Sequence, residues 1–271
     1  MTGEPAVPRL AATVLLLRDG AKGMEVFMVA RSHAIDFASG ALVFPGGRVD
    51  PADHDAAADP AICPPIDGVD AAGMALRIAA VRETFEECGI LLARPAGCPM
   101  MYGGETQAAI AERHRAAVHK GERSMAEVAL AEGLTLACDA LVHFAHWITP
   151  VTMAKRFDTH FFVAPTPWGQ KGLHDGHESI DSLWITPQDA RAGAAEGRFK
   201  MVFATDLNLG KLGLQTSVEA ALQAALDTPV ITVVPAPEKL PDGKRRLRIP
   251  FAAGYGGEVF DVELPGAMPT P

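Results

Sequence analysis

Three glutamates are the residues of this sequence best placed to do chemistry. Glu83, Glu86 and Glu87 stand at positions i, i+3 and i+4, so a helix places their carboxylates on one face. Like charges at that spacing repel, and no lysine occurs between Gly23 and Lys120 to dilute them. Mg²⁺ would relieve the repulsion by taking carboxylate oxygens while keeping waters for substrate phosphates. From this helix alone, metal binding and a solvated acidic face are equally favoured.

A glycine loop precedes the acidic helix and favours the metal-binding interpretation. The run Phe44-Pro45-Gly46-Gly47 lets the backbone approach a ligand closely, because glycine has no Cβ. A glycine loop that leads to an acidic helix suits a diphosphate bridged by a metal ion. A Gly-Gly pair by itself more often marks a turn.

The acidic helix is predicted to run from Asp70 to Cys88, with Asp70 as N-cap and Gly89 ending it. Its apolar residues are spaced by four, three and four positions, which predicts one buried stripe. The stripe consists of Met74, Ile78, Val81 and Phe85. We expect this side to pack on a sheet and the acidic side to face outward.

The remaining elements are read from periodicity and turn residues. Strands are predicted at Ala12–Leu17, Glu25–Ala30, Ala41–Phe44, Val142–Ile148, Thr159–Ala164 and Ser182–Ile185, and late strands at 230–234 and 245–251 that could close the sheet. Helices are predicted within 105–131 and at Ser217–Leu226. Residues 51–68 are rich in Asp, Ala and Pro, and we expect an exposed excursion there.

Composition excludes several classes of protein. The net charge of −9, from 24 basic and 33 acidic residues, argues against a nucleic-acid binder. The basic run at 244–248 is interpreted as a half-buried strand rather than a phosphate patch. The four cysteines form no C-x-x-C pair, which favours free thiols in a reducing cytoplasm. The early apolar run Ala11–Leu17 is too short to span a membrane, and we expect no membrane association.

The loop and helix together resemble the Nudix box, G-x5-E-x7-R-E-U-x-E-E-x-G-U, where U is aliphatic. Gly47 stands at the first glycine and Asp53 at the first glutamate, while Arg82, Glu83, Glu86, Glu87, Gly89 and Ile90 match the second half. Thr84 occupies an aliphatic position. The spacer has grown to 28 residues, 54–81, which is 21 more than the motif has. This enlarged spacer is similar to that of the peroxisomal coenzyme A diphosphatases and their bacterial relatives.

Upstream residues support the same branch. Arg31-Ser32, Gly40 and the glycine loop keep the spacing of the coenzyme A signature R-S-x3-R-x3-G-x3-F-P-G-G. Asp36 replaces its inner arginine, which reverses a charge where an anionic ligand would be read. Downstream, 146–150 and 156–159 also resemble this branch, so the resemblance covers most of residues 10–190.

The resemblance implies an α/β Nudix fold in which a mixed β-sheet is sandwiched between helices. We expect one domain over 9–265, with an insertion at 54–69 inside the box, a helical insertion at 100–140, and flexible termini at 1–8 and 266–271.

It also implies roles for individual residues. The metal ligands, for Mg²⁺ or Mn²⁺, would be Glu83, Glu86, Glu87 and the Gly47 carbonyl. The catalytic set would be Glu86, Glu83, Arg82 and, from outside the box, Glu178. The substrate-binding set would be Arg31, Gly46, Gly47 and Arg156. Arg82 would brace Glu86, and Asp53 would support the loop through Arg82.

The implied activity is cleavage of the diphosphate in a small nucleoside-diphosphate derivative, with coenzyme A or acyl-coenzyme A as the favoured substrate. One alternative is a Nudix hydrolase for ADP-ribose, dinucleotides or NADH, which Asp36 favours. A second alternative is a non-catalytic ligand-sensing module, against which the intact glutamate set argues. His143, His146 and His160 are interpreted as packing or hydrogen-bonding residues, whereas His174 and His177 are candidates for substrate contact. A homodimer is left open.

Overall fold

The computed structural model describes residues 6–31, 40–176, 179–241 and 245–262. Within these ranges the strands are β1 Arg9–Gly20, β2 Gly23–Arg31, β3 Leu42–Val43, β4 Gly46–Arg48, β5 Ala93–Pro95, β6 Leu134–Leu136, β7 Val142–Ile148, β8 Phe157–Pro165, β9 Ser179–Ile185, β10 Thr232–Val233, β11 Ala236–Lys239, β12 Arg245–Arg248 and β13 Val259–Val262. The helices are α1 Pro51–Ala57, α2 Ala71–Cys88, α3 Gly104–His119, α4 Met125–Glu132, α5 Pro187–Ala195, α6 Phe203–Leu212 and α7 Val218–Asp227. No helix in these ranges has the combined length and apolarity that a bilayer crossing requires.

The main sheet is mixed, as predicted, and β1 lies at its centre. The strand order is β10-β7-β8-β1-β2-β3, with β4 paired to β1 and β9 paired to β2. β1 runs parallel to β8, and β10 runs parallel to β7, whereas the other pairs are antiparallel. β1 pairs with β2 through Leu17–Gly20 and with β4 through Ala11–Thr13. β2 therefore pairs with the C-terminal end of β1 and β4 with its N-terminal part, and the glycine loop lies where the partner of β1 changes.

Helices cover both faces of this sheet, which confirms the expected α/β layering. On one face α2 packs against alternate residues of β1, namely Ala12, Val14 and Leu16. On the other face Leu15 and Leu17 of the same strand pack with residues of α6 and α7. The alternation follows from the two-residue period of a strand, which sends neighbouring side chains to opposite faces.

α2 begins and ends where the sequence predicts. The Asp70 side chain accepts a 2.8 Å hydrogen bond from the Gly73 amide, and Gly89 closes the helix with φ of 67°. The predicted stripe, Met74 to Phe85, is buried. The expectation that the opposite side faces solvent is wrong, because Leu76, Ala79, Ala80 and Glu87 are buried as well. α2 is thus enclosed on nearly all sides.

The expectation of an exposed excursion at 51–68 holds for most residues of the segment, but the segment also packs against α2. Residues 51–57 form α1, which packs against α2. Ala56, Ile62 and Cys63 are almost fully buried in the same core as α2. Most of the remaining side chains of the segment are exposed, so the insertion covers one side of α2 through a few buried residues.

The C-terminal third departs from the sequence expectation in two ways. Strand β10 joins the main sheet, but β12 belongs to a separate three-stranded sheet with β11 and β13. Residues 187–212, for which no element was predicted, form α5 and α6. Helical periodicity there is weak, and the helices gain their stability from contact with the sheet and with each other, since α6 supplies Leu209 and Leu212 to the core.

We predict that Ile78→Ala destabilises the protein by about 2–5 kcal/mol, because Ile78 is fully buried between α2 and the sheet. Urea-induced unfolding would measure the change in the free energy of unfolding. Leu130→Ala is the control, since that α4 side chain is 69% exposed and should cost less than about 0.5 kcal/mol. Equal losses in both variants would contradict the packing described for α2.

Candidate active site

The glycine loop lies against the acidic side of α2. Gly46 has φ of 156°, a backbone conformation that favours glycine, and its amide donates a 3.0 Å hydrogen bond to Glu87 Oε2. A side chain at Gly47 would overlap the carboxylate of Glu83. A side chain at Gly46 would instead overlap the backbone of β1 at Ala12 and Thr13, so the two glycines are required by different neighbours.

Arg82 connects the acidic residues to one another. Its Nη1 donates to Glu83 Oε1 at 2.9 Å and to Glu86 Oε1 at 3.0 Å. Its Nη2 donates to the Arg48 carbonyl oxygen at 2.7 Å and to Asp53 Oδ2 at 3.0 Å. Both contacts that the sequence analysis expects of Arg82, to Glu86 and to Asp53, are thus present.

Asp53 joins the loop, α1 and α2. Its Oδ2 accepts a 2.8 Å hydrogen bond from the Asp50 amide at the start of α1, while both of its carboxylate oxygens receive the guanidinium of Arg82. Asp53 is only 2% exposed. The shorter acidic side chain at this box position is accommodated because α1 brings its backbone close to Arg82.

Negative charge exceeds positive charge at this end of α2. Burial raises the pKa of Glu86 above its ordinary range, although the charge and hydrogen bond of Arg82 act to lower it. Burial also works against the charge of Arg82, but Glu83, Asp53 and Glu86 outweigh that effect and hold its pKa above its ordinary value. One permanent guanidinium therefore faces several crowded carboxylates.

The donor set of this cluster fits a hard divalent cation. Carboxylate oxygens are the ligands that Mg²⁺ and Mn²⁺ prefer, and the local excess of negative charge favours a cation. Glu83 and Glu86 do not meet at a single point in this structure, since Nη1 of Arg82 lies between them. Arg82 thus holds the two carboxylates in place while separating them.

A cavity of about 790 Å³ opens over the cluster. Its acidic wall is formed by Asp50, Glu83 and Glu86. Its basic lining comes from Arg9, Arg31, Arg48, Lys155 and Arg245, and its aromatic lining from Phe44, Trp147, Phe157, Phe161 and Phe203. The cavity therefore combines an acidic pole with dispersed basic groups and a large apolar surface, a combination that suits an amphipathic anion.

Three of the four predicted substrate-binding residues line this cavity, and the fourth does not. Arg31, Gly46 and Gly47 line it. The Nε atom of Arg31 is buried and has no hydrogen-bond partner among the described residues. Arg156 is not among the lining residues, and its guanidinium donates instead to the carbonyl oxygens of Thr149 and Ala6, at 3.0 and 2.8 Å.

Glu178, His177, Ser32 and Asp36 lie outside the described residues. His174, close to Glu178 in sequence, hydrogen-bonds Ser182 through its backbone amide and its Nδ1. It is not among the residues that line the cavity.

Sequence reasoning missed the C-terminal contribution to the cavity. Phe203, Arg245 and Leu247 line it, although the basic run at 244–248 was interpreted as a plain strand. Trp147 Nε1 donates to the Tyr255 hydroxyl, which donates to Asn208 Oδ1, both at 2.8 Å. This chain of hydrogen bonds attaches β7 to the C-terminal segment. No periodicity signals it, because its members are far apart in sequence.

Comparisons with known proteins find similar sequences and a similar fold. The profile of the NUDT19 Nudix domain matches residues 67–199. The acyl-coenzyme A diphosphatase NUDT19 of Gallus gallus is 32% identical, over 61% of this chain and 55% of its own. The chain thus spans about half the length of that relative. The crystal structure of a NUDIX hydrolase from Alicyclobacillus acidocaldarius is similar with a TM-score of 0.65 and 29% identity, over 80% of this chain and 96% of that one.

We predict that Gly47→Ala lowers the free energy of unfolding by about 1–3 kcal/mol, because the new Cβ overlaps the Glu83 carboxylate. Urea unfolding with a chelator present would measure this without a contribution from cations. Gly257→Ala is the control, since its Cβ would lie 3.5 Å from Phe260, an ordinary contact.

A double-mutant cycle tests whether Glu83 causes the loss of stability in Gly47→Ala. In a Glu83→Ala background the penalty of Gly47→Ala should disappear, because the overlapping group has been removed. An unchanged penalty in that background would show that Glu83 is not what excludes a side chain at Gly47.

Proposed function

We propose that the chain is a Nudix hydrolase, and specifically a metal-dependent pyrophosphohydrolase acting on a nucleoside-diphosphate derivative, which its similarity to Nudix proteins supports. The observation that carries the proposal is the position of Glu83 and Glu86, next to the glycine loop and at the wall of a large cavity. Mg²⁺ or Mn²⁺ bound by the α2 carboxylates would neutralise diphosphate charge and lower the pKa of bound water.

The residues of the Nudix box and Glu178 have separate roles in the proposed reaction. Glu83, Glu86 and Glu87 bind the cation, with the Gly47 carbonyl as a further oxygen donor. Arg82 is a positioning residue, because its contacts hold Glu83 and Glu86 side by side. Glu178 remains our candidate for a proton-accepting carboxylate from outside the box.

The basic residues of the cavity bind the anionic parts of the substrate. Arg31 is the strongest candidate, since it lines the cavity and its buried Nε has no partner among the described residues. A guanidinium can donate two parallel hydrogen bonds to a phosphate, which makes arginine a frequent phosphate ligand. Arg156 is a weaker candidate, because its guanidinium already binds two backbone carbonyl groups.

Coenzyme A or an acyl derivative is our favoured substrate. The spacing of Arg31-Ser32, Gly40 and Phe44–Gly47, the enlarged box and the named activity of the chicken relative all support it. Five aromatic side chains in the cavity also suit a ligand with an adenine ring and an apolar tail. Asp36, which would repel a 3′-phosphate, favours the alternative of ADP-ribose, dinucleotides or NADH.

We predict that Glu86→Gln and Glu87→Gln each reduce diphosphate turnover about 10³-fold, because each loses a charged ligand and about 4 kcal/mol of transition-state stabilisation. Coenzyme A, dephospho-coenzyme A, ADP-ribose and NADH would be assayed with and without Mg²⁺, and the products identified by mass spectrometry. Chelation of the metal should abolish turnover of every member of this panel.

Glu219→Gln is the control, because that glutamate is exposed on α7 and lies outside the cavity. Full activity in chelator, or in both box variants, would contradict the metal mechanism. No turnover of any diphosphate by the wild-type protein would favour the non-catalytic sensing module.

We predict that Arg31→Met lowers kcat/KM for coenzyme A about 10- to 100-fold, since one charge-assisted hydrogen bond contributes about 1.5–3 kcal/mol. Arg248→Met is the matched control, because Arg248 is exposed and its one ion pair within the described residues is 3.8 Å long, with Glu238. Equal kinetics for the Arg31 and Arg248 variants would remove Arg31 from the site. Good turnover of ADP-ribose with none of coenzyme A would identify the alternative substrate class.

A further inference from the structure

A second group of metal-ligating side chains lies on the opposite face of the main sheet from the cavity. His146 of β7 pairs with His160 of β8, and Asp158, two residues before His160, lies on the same face by two-residue alternation. Thr159, between Asp158 and His160, and Phe161, directly after His160, line the cavity on the other face. The histidine face and the cavity are therefore separated by the thickness of the sheet.

We propose that His146, Asp158 and His160 form a binding site for one divalent transition-metal ion of the Zn²⁺ type. One donor atom from each residue can be chosen so that all three lie within 4.8 Å of one another. His146 Nε2 is 2.5 Å from Asp158 Oδ1, and His160 Nε2 is 3.7 Å from that oxygen. In the described part of the chain, this is the only such grouping of three His, Cys, Asp or Glu donors.

The donor atoms need only small movements to bind Zn²⁺. Zn–N and Zn–O bonds of about 2.0–2.2 Å in a tetrahedral site place the donors roughly 3.3–3.5 Å apart. The two separations to Asp158 Oδ1 bracket that value, and the two imidazole donors lie within 4.8 Å of each other. Side-chain rotations would bring the three donors to the required spacing. Two imidazoles and one carboxylate leave a fourth position for water or another ligand. The nitrogen donors favour Zn²⁺ over Mg²⁺, which prefers oxygen.

Neighbouring groups hold the imidazoles in place. His146 Nδ1 is hydrogen-bonded to Thr232 Oγ1 at 2.8 Å, and His160 Nδ1 to His143 Nε2 at 3.1 Å. Such bonds at the second ring nitrogen fix the orientation of a ligating histidine. When Nδ1 of His146 donates to Thr232 Oγ1, its Nε2 lone pair is available to a cation placed between Nε2 and Asp158.

The sequence predicts packing or hydrogen-bonding roles for these histidines, and the contacts among them agree with that prediction. The imidazoles of His146 and His160 are stacked with centroids 4.0 Å apart. Burial, followed by the charge of His146, lowers the pKa of His160 to about 4, although Asp158 acts to raise it. The positive charge of Arg77 also lowers this pKa. A hydrogen-bonded network and a metal site differ in one measurable property, which is affinity for Zn²⁺.

The experiment is a Zn²⁺ titration of the full chain without a histidine tag, in excess Mg²⁺ to occupy the carboxylates of α2. Calorimetry and metal analysis after gel filtration should give about one Zn²⁺ per chain. His160→Ala and the isosteric Asp158→Asn should each weaken binding at least about 100-fold, because even supporting groups around a metal cost 10–100-fold when removed. Co²⁺ absorption in the visible range reports the same site without relying on activity.

Two controls keep this site distinguishable from the catalytic cluster. His54→Ala, an exposed histidine of α1, should bind Zn²⁺ as the wild type does. The double variant Glu86→Gln/Glu87→Gln should also keep its Zn²⁺ while losing diphosphate turnover. Retention of full Zn²⁺ affinity by Asp158→Asn, or absence of Zn²⁺ binding by the wild type, would overturn the proposal. Loss of Zn²⁺ in the glutamate double variant alone would assign the ion to α2.

Discussion

The burial of Arg82 among carboxylates is the interaction on which the rest of the structure depends. A guanidinium enclosed by Asp53, Glu83 and Glu86 is stable only if each partner is held at hydrogen-bond distance, because an unpaired buried charge costs several kcal/mol. That requirement fixes α1 against α2 and draws the backbone of β4 onto the same guanidinium through the Arg48 carbonyl oxygen. The inserted segment within the box is therefore part of the site's framework.

The enclosed guanidinium also explains the character of the carboxylate cluster. Arg82 neutralises one charge and spaces Glu83 from Glu86, while Glu87 is held by the amide of Gly46. The remaining negative charge faces a cavity whose other walls are basic and aromatic. An anionic ligand can bind beside an acidic cluster only if a cation lies between them, so the electrostatics of the cavity and the proposed metal requirement have the same origin.

Local rules accounted for much of the molecule. The limits of α2 followed from Asp70 and Gly89, whose capping chemistry depends only on neighbouring residues. The strands β1 and β2 followed from periodicity and turn residues. The C-terminal sheet and α6 could not be predicted in this way, because Trp147, Asn208 and Tyr255 are widely separated in sequence yet form one chain of hydrogen bonds.

The sequence by itself determined the spacing of Glu83, Glu86 and Glu87 on a helix, and with it the type of ligand that the site prefers. Only the tertiary structure decided that these carboxylates are enclosed and separated by Arg82, and that β8 divides its side chains between two surfaces, with Phe161 in the cavity and His160 on the opposite face. The physical reason is the separation along the chain over which each effect acts. Helix periodicity acts between residues four apart, whereas burial and charge compensation depend on segments that meet only after the chain has folded.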